Sequence, residues 1–277
     1  MAGKWFRGIT PTTKPTEIDT SVAHPARVYD YWLGGKDNFA ADREAGDRVI
    51  AVRPSILTDI RANRDFLIRS IRYLAAEGGV RQFLDVGTGI PTHPNVHEAA
   101  QSIAPECRVV YVDNDPIVLA HARALLTGSP EGITAYLDAD LRDPVKIIEV
   151  AQKTLDFGQP IAVILVGMLH LISDEEEPYR IVARLLDAVP SGSYLSVNHP
   201  ASDIHAHVVA EGAKQYNQSV STPQTRRSQA EVSRFFEGLE LVSPGVVQSH
   251  RWRPDPGSSS PGQAEDVSAW AGVGRKP

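Results

Sequence analysis

The sequence predicts an α/β fold built around a mostly parallel β-sheet, and three observations support this. From residue 81 onward, short apolar runs alternate with amphipathic helical patterns, which is typical of strands joined by crossover helices. The run at residues 161–167 is apolar on both faces, as expected for a central strand of a parallel sheet. A chain of 277 residues, of which 42% are hydrophobic, is long enough for one large domain with additions or two small ones.

Helical patterns occupy the chain before the sheet begins. Residues 1–24 contain prolines and threonines that break any period, so we predict irregular structure there. Pro25 suits the first turn of a helix, and pairs of adjacent glycines end the first and the last of the helical patterns. We therefore predict an N-terminal arm and helical cap at residues 1–58 and a main domain at residues 59–277. Helices are predicted at residues 25–33, 42–52 and 59–76.

The alternating elements that follow define the sheet and its edges. The last part of the chain, residues 239–277, holds two strand candidates around a Pro/Gly/Ser-rich loop at 254–262, which predicts an antiparallel hairpin at one edge. Residues 213–227 are polar and end in Arg226 and Arg227, so we predict a mobile loop there. Strands are predicted at residues 81–86, 108–112, 133–137, 161–167, 193–198, 239–247 and 269–273. Helices are predicted at residues 94–104, 116–126, 143–151, 178–189 and 228–237.

Composition and charge argue against several classes of function. The net charge of −6 provides no overall attraction to nucleic acid or to an acidic membrane surface, so neither partner is expected. Cys107 is the only cysteine, which rules out a disulfide framework and suits a reducing cytoplasm. The longest apolar run, residues 161–172, is shorter than the roughly 20 residues that a membrane-spanning helix needs. No signal-peptide pattern is present, so we expect a cytoplasmic protein.

The most informative motif is a glycine turn after the first predicted strand. Residues 83–90 form an apolar strand that ends in Asp85, followed by Gly87, Thr88 and Gly89. Glycines allow a tight turn and let the backbone approach a ligand closely, and the carboxylate of Asp85 can meet an ammonium group. A dinucleotide fingerprint prefers an apolar residue in place of this aspartate, and it also requires a third glycine where Thr92 stands. The motif therefore favours S-adenosylmethionine over a dinucleotide.

An acid at the end of the second predicted strand supplies the next component. Asp113 follows an apolar run, and its carboxylate can accept hydrogen bonds from both hydroxyls of a ribose; Asn114 comes directly after it. The alternative is that these residues form only a turn and a helix cap before Pro116, because Asp and Asn are good N-caps. We assign that cap to Asp115 and predict that Asp113 binds the ligand.

A third acid follows the third predicted strand. Asp140 can accept a hydrogen bond from the adenine amine while the backbone N–H of Leu141 donates to a ring nitrogen. The alternative is again helix capping, for which Asp143 before Pro144 is better placed. Because the carboxyl ends of parallel strands meet at one edge of a sheet, we expect these signals to surround a common ligand.

The methyl acceptor is expected beside the end of the fourth predicted strand. Val166 would contact the cofactor there, and His170 is the best candidate for a general base. A core histidine bonded to backbone is the alternative for His170, and His199 is a weaker second candidate. This segment lacks the Asn/Asp-Pro-Pro-aromatic box of amino-group methylases, which argues against exocyclic amines of bases as acceptors. Binding of an acidic acceptor is the alternative for Arg226 and Arg227, for which we predict only a solubilising role in the loop.

The segment at residues 29–39 is predicted to fold over the mouth of this site. Tyr31 and Asn38 would contact the cofactor or the acceptor, while the aromatic residues beside them attach the cap helix to the core. His93 and His97 are four residues apart, a spacing that can bind metal, but with no further ligand in sequence we predict a solvated or capping role and no metal site.

A resemblance to a known family is carried by residues 26–39, 61–64, 85–92, 95–98, 109–116, 139–144, His170 and residues 244–247. In these residues the chain resembles the actinobacterial class I methyltransferases of the S-adenosyl methyltransferase family, once labelled a domain of unknown function. The resemblance implies a Rossmann-like class I methyltransferase with a mostly parallel seven-stranded sheet, helices on both faces and an N-terminal helical cap. It also implies S-adenosylmethionine as cofactor, with S-adenosylhomocysteine as product, and it names no acceptor.

These observations predict a methyltransferase that acts on a small molecule and uses S-adenosylmethionine. Two alternatives are a cofactor-binding regulator without catalysis and, on weaker grounds, an NAD-dependent oxidoreductase, against which Asp85 and Thr92 argue. The acceptor, its attacking atom and the oligomeric state are not predicted.

Overall fold

One β-sheet forms the centre of the molecule. The computed structural model describes residues 19–125, 128–255 and 267–277. Five parallel strands lie in the order β3-β2-β1-β4-β5, and an antiparallel strand, β8, pairs with β5. The short strands β6 and β7 both pair with β8. The strands are β1 (Gln82–Val86), β2 (Arg108–Asp113), β3 (Ile133–Asp138), β4 (Ala162–Val166), β5 (Tyr194–Pro200), β6 (Glu240–Leu241), β7 (Val247–Gln248) and β8 (Ala269–Arg275).

Helices cover both faces of this sheet. Neighbouring residues of β1 face opposite sides, because side chains alternate along a strand. Phe83 packs into a core with Phe66 and Ile71 of α3, whereas Leu84 packs into the core on the other face with Leu185 of α7. The helices are α1 (Pro25–Trp32), α2 (Ala40–Val52), α3 (Ile56–Ala76), α4 (Val96–Gln101), α5 (Pro116–Leu125), α6 (Pro144–Ala151), α7 (Pro178–Asp187), α8 (Ala206–Asn217) and α9 (Gln229–Ser233).

A separate hydrophobic cluster joins helices α1, α2 and α8 and the start of α3 into a cap. Val28 and Trp32 of α1 pack with Val49 of α2 and with Tyr216 of α8. The Trp32 and Tyr216 rings lie 5.9 Å apart, and the Trp32 indole donates a hydrogen bond of 3.3 Å to the Gly46 carbonyl. The cap therefore combines N-terminal helices with one helix from much later in the chain. Residue 58, where the sequence predicts a domain boundary, lies in the first turn of α3, and the division at that residue stays a prediction.

The α/β fold with a mostly parallel sheet is confirmed, and five parallel strands and the last strand lie where the sequence predicts them. The predicted strand at 239–247 is wrong, because a turn at Pro244 and Gly245 divides it into β6 and β7 and raises the strand number from seven to eight. Proline has no N–H for a ladder, and Gly245 adopts a φ of 90°, so neither continues a strand. Most of the predicted loop at 254–262 and residues 1–18 lie outside the described residues.

The predicted mobile loop at 213–227 is also wrong. Its first five residues are the end of α8, and Arg227 is only 1% exposed. The Arg227 guanidinium donates to the carbonyls of Leu169 and Ile172, each at 3.0 Å, and pairs with Asp174 at 2.7 Å. These bonds fasten the segment to the turn after β4. No helix in the described parts of the chain is both long and apolar enough to cross a membrane.

Candidate functional site

A cavity lies at the carboxyl ends of the parallel strands, beneath the cap. It opens beside the point where the chain order of the sheet reverses, between β1 and β4, which is where open α/β sheets bind ligands. Helices α1, α3 and α8 contribute to its walls. Nine residues predicted from sequence line it: Gly87, Thr88, Gly89, Asp113, Asn114, Asp140, Leu141, Val166 and His170.

The glycine turn is fastened to the end of β2. The Gly87 N–H donates a hydrogen bond of 2.8 Å to the Val112 carbonyl, and the Gly89 N–H donates one of 2.8 Å to Oδ2 of Asp113. The Thr88 hydroxyl donates to the Asp85 carbonyl at 3.2 Å, which closes the turn on itself. Gly87 and Gly89 have φ angles of 80° and 67°, a region that favours glycine. The turn therefore brings its backbone to the cavity wall, with its N–H groups bound to the end of β2.

The two glycines of this turn differ in the space around them, which leads to a testable prediction. A Cβ atom on Gly87 would lie 2.4 Å from the Met168 sulfur, whereas one on Gly89 would meet nothing within 4 Å. Both alanine variants carry the cost of a positive φ, about 1–2 kcal/mol. We expect Gly87→Ala to lose at least about 1 kcal/mol more in the free energy of unfolding than Gly89→Ala, because Met168 must also move. Chemical denaturation of both variants measures this difference, and equal losses would contradict it.

Asp113 is buried at the end of β2 and serves the turn as well as the cavity. It is 7% exposed, and its Oδ1 accepts a hydrogen bond of 2.9 Å from the Asp115 N–H. Burial raises the pKa of Asp113, while the N–H groups of Asp115 and Gly89 oppose that rise. Asp115 caps α5 by accepting from the Ile117 N–H at 2.8 Å, as predicted. The capping role therefore belongs to Asp115, and Asp113 remains available to the cavity.

Asp85 lies directly behind the cavity wall. It is 6% exposed, and burial raises its pKa to about 7. The positive charge of Arg64 opposes the rise, and the nearby carboxylate of Asp113 adds to it. The Arg64 guanidinium is itself held by the carbonyls of Thr92 and Pro94. A buried carboxyl group with this pKa gains a full charge when a cation comes beside it, which suits contact with an ammonium group.

Asp140 and Asn114 meet at the rim of the cavity. The Asn114 amide donates to Oδ2 of Asp140 at 2.9 Å, and Arg142 forms an ion pair with Asp140 at 3.2 Å. Asp143 caps α6 through the Lys146 N–H, at 3.1 Å, so capping does not require Asp140. Within the described ranges, the Leu141 N–H donates to no other group. Asp140 and Leu141 together present an acceptor and a free donor, the pair that the edge of an adenine ring requires.

The structure does not bring Tyr31 and Asn38 to the cavity wall. The Tyr31 hydroxyl donates to Asp47 at 2.6 Å on the outer side of the cap. The Asn38 amide donates to Asp30 at 2.9 Å and to the Gly35 carbonyl at 3.0 Å. Asp30 itself lines the cavity. Asn38 therefore does not reach the cavity as predicted. Its side chain instead holds Asp30, which does line the cavity.

His170 lines the cavity just after β4, as predicted. Its Nδ1 is buried and has no hydrogen-bond partner among the described residues. Burial, with a smaller contribution from the charges of Arg226 and Arg227, lowers the pKa of His170 to about 3. The imidazole is therefore neutral at physiological pH and is a weak base. His199 is fully buried, its Nδ1 lies 3.0 Å from the Pro200 carbonyl and its Nε2 lies 2.8 Å from Arg227, so it supports the fold instead of facing the cavity.

The far end of the cavity contains charged residues that the sequence analysis did not assign to the site. Arg53 is 1% exposed and forms an ion pair with Asp59, whose other oxygen accepts from the Ser268 N–H at 3.0 Å. Arg226 also lines this end and donates a long hydrogen bond of 3.4 Å to the Ala201 carbonyl. Burial, together with the positive charge of the nearby Arg53, lowers the pKa of Arg226 to about 9, while the carboxylate of Asp59 opposes this shift. An arginine pair in a polar stretch is usually solvated, so composition provided no signal for this burial.

Histidines outside the cavity have structural roles. His97 is 2% exposed, and its Nδ1 lies 2.8 Å from the Tyr111 hydroxyl. The predicted solvated or capping role of His97 is therefore wrong, because α4 turns this residue into the core. His93 is exposed and lies 3.2 Å from Glu98. In the described parts of the chain, no group of three or more His, Cys, Asp or Glu residues is arranged to hold a metal ion.

Comparisons with known proteins agree with this geometry. A family model described as S-adenosyl methyltransferase matches residues 11–277. The chain is 47% identical to a DUF574 family protein from Streptomyces avermitilis of known crystal structure, with a TM-score of 0.91 over 94% of this chain and 100% of that one. It is 41% identical to a candidate methyltransferase from Thermobifida fusca, with a TM-score of 0.85 over 93% of this chain and 96% of that one. No curated protein matches the chain.

Proposed function

The chain belongs to the S-adenosyl methyltransferase family, and from this premise we propose that it methylates a small-molecule acceptor bound beside the cofactor in the cavity described above. The enzyme uses S-adenosylmethionine. The observation that carries the proposal is the meeting of three strand ends at one cavity, where the glycine turn, Asp113 and Asp140 face a common space. A net charge of −6 and a single cysteine support a cytoplasmic enzyme without a nucleic-acid partner.

The residues around the cavity fit S-adenosylmethionine group by group. Gly87 and Gly89 bring the backbone of the turn to the cavity wall, and a Cβ on Gly89 would meet no atom within 4 Å, which leaves room there for the amino-acid end of the cofactor. We assign Asp85 to the ammonium group, directly or through water, because burial has left this carboxyl without a contacting cation. Asp113 would accept from the ribose hydroxyls, with Asn114 beside it. Asp140 and the Leu141 N–H would bind the adenine edge, and Val166 and Thr88 would pack against the cofactor.

The chemistry depends mainly on positioning. When bound, the cofactor supplies a methyl group on a positively charged sulfur, which a nucleophile attacks in line. The cap helices line the cavity, and in this proposal they exclude water from that point and hold the two reactants together. His170 is the catalytic candidate at the end of β4. Because its pKa is about 3, we propose that the neutral ring orients the attacking atom by accepting a hydrogen bond and takes a proton only from an acidic group.

A binding and transfer experiment tests this function. Calorimetric titration of the full chain should show micromolar or tighter binding of S-adenosylhomocysteine and no binding of NAD. Incubation with S-adenosylmethionine carrying a labelled methyl group and fractions of an actinobacterial metabolite extract should label a small molecule. Tight NAD binding without S-adenosylhomocysteine binding would overturn the assignment of the cavity. Cofactor binding without transfer to any fraction would instead favour the regulator.

A further inference from the structure

The cavity extends beyond the cofactor residues into a second space under the cap. Its wall contains residues of α2, α3 and α8 and of the segment before α9. The rings of Trp32 and Tyr216 pack together there with Ile60, and all three line the cavity, so part of the wall is apolar. We call this space the distal compartment and define it by Arg53, Asp59, Tyr216, Thr222, Gln224 and Arg226.

The charges of the distal compartment do not balance. Asp59 is the carboxylate there; it forms an ion pair with Arg53 and accepts from the Ser268 N–H, and its charge acts on Arg226 without an ion-pair contact. Arg226 contacts no carboxylate among the described residues, and its Nε has no hydrogen-bond partner. The nearby His170 is neutral. Two guanidinium groups and one carboxylate leave a net positive charge, and a desolvated cation is costly unless an anion is placed beside it.

The position of Arg226 separates it from the amino-acid end of the cofactor. The Thr225 N–H donates to the His170 carbonyl at 2.7 Å, which ties this segment to the turn after β4. The positive charge of Arg226 lowers the pKa of His170 and the pKa of His199, which lie at the ends of β4 and β5. The charges that act on the pKa of Asp85, which is assigned to the cofactor ammonium, are instead those of Arg64 and Asp113. Arg64 is therefore the cation on the cofactor side, and Arg226 is the cation on the acceptor side.

We propose that the distal compartment binds the methyl acceptor through a carboxylate that pairs with Arg226, with the apolar body of the acid against Trp32, Ile60 and Tyr216. The acceptor class is thus a small organic acid with an apolar or aromatic body. One unpaired guanidinium matches the single charge of a carboxylate better than the higher charge of a phosphate. The statement that the bound acid is the methyl acceptor rests on the proposed function. The anion site itself does not, because it is argued from the residues of the distal compartment alone.

The test uses matched acids and amides on the full chain saturated with S-adenosylhomocysteine. The probes are benzoate and benzamide, indole-3-acetate and indole-3-acetamide, and 4-methylpentanoate and its amide. We expect at least one acid to bind at least tenfold more tightly than its amide, measured by ligand-observed NMR. In Arg226→Gln this preference should fall below twofold, and Arg226→Lys should restore part of it because the charge returns. Arg184→Gln, on the exposed face of α7, is the control and should leave the preference unchanged.

Two outcomes would overturn the inference. If no acid is preferred over its amide by the unchanged protein, the compartment is not an anion site. If Arg226→Gln weakens S-adenosylhomocysteine at least tenfold, Arg226 contacts the cofactor instead. Thermal unfolding of each variant shows whether a lost preference for the acid reflects lost structure. If Arg226→Gln is unfolded, the acid preference of Arg226→Lys is compared with that of the unchanged protein instead. Failure of the proposed function would show separately, as absence of S-adenosylhomocysteine binding by the unchanged protein.

Discussion

Asp113→Ala is expected to weaken S-adenosylhomocysteine binding by about a hundredfold, equal to about 2.7 kcal/mol, while the protein stays folded. Two effects combine in this loss. A buried carboxylate that accepts from both ribose hydroxyls makes charge-assisted hydrogen bonds, each worth about 1.5–3 kcal/mol. The same carboxylate accepts from the Gly89 N–H at 2.8 Å, so its removal also releases the glycine turn.

Two further variants divide that loss into its parts. Asp113→Asn keeps one acceptor oxygen for the turn and removes the charge, so we expect a smaller loss of about tenfold. Asp138→Ala is the matched control, because Asp138 is exposed and lies opposite Asp113 in the β2–β3 register without lining the cavity. Calorimetry measures affinity, and thermal unfolding measures stability. A large fall in melting temperature with unchanged affinity would mean that Asp113 serves the fold alone.

The cavity wall at the strand ends was predictable because its signals are local. A strand, a glycine turn and an acid at the next strand end occupy short stretches of sequence, and a parallel sheet brings them together whatever the rest of the chain does. Asp115 and Asp143 form the predicted helix caps, which left Asp113 and Asp140 for the ligand. In each pair of aspartates, the local pattern of a helix cap was enough to identify the capping residue.

The distal compartment was not predictable because it depends on contacts between distant segments. Arg226 and Arg227 follow a polar stretch that is typical of a solvated loop. In the structure the carbonyls of the turn after β4 and Asp174 bind Arg227, and the cap encloses Arg226. Tyr31 is an error of the opposite kind. The sequence pattern placed this residue at the site, whereas in the structure its side chain turns outward and contacts Asp47. The position of a residue along a helix decides which face its side chain occupies, and composition does not carry that information.

Asp85→Asn is expected to raise stability without cofactor and to remove the pH dependence of cofactor affinity. The folded pKa of Asp85, about 7, is above its ordinary value of 3.8, so between these values the folded state holds more protons than the unfolded state. The free energy of unfolding therefore falls as pH rises through this window, by at most about 4 kcal/mol at pH 8. Asparagine cannot ionise, so its variant escapes this loss. The melting temperature of Asp85→Asn should exceed that of the unchanged protein by several degrees at pH 8, and the gap should narrow at pH 5.

Cofactor affinity should respond to pH in the opposite direction. An ammonium group beside Asp85 stabilises the ionised carboxylate, so S-adenosylhomocysteine should bind more tightly as pH rises from 6 to 8. Arg64, Asp113 and Tyr111 also face this group, and burial raises the pKa of Asp113 as well, so the slope alone does not identify the residue. The variant does, because Asp85→Asn should bind at least tenfold more weakly at pH 8 with little change between pH 6 and 8. If the variant keeps the slope of the unchanged protein, the titrating group is Asp113, and the ammonium contact must be assigned elsewhere. A gain in stability coupled to a loss of affinity would mean that the carboxyl group is kept at this buried position for the cofactor and at the expense of the fold.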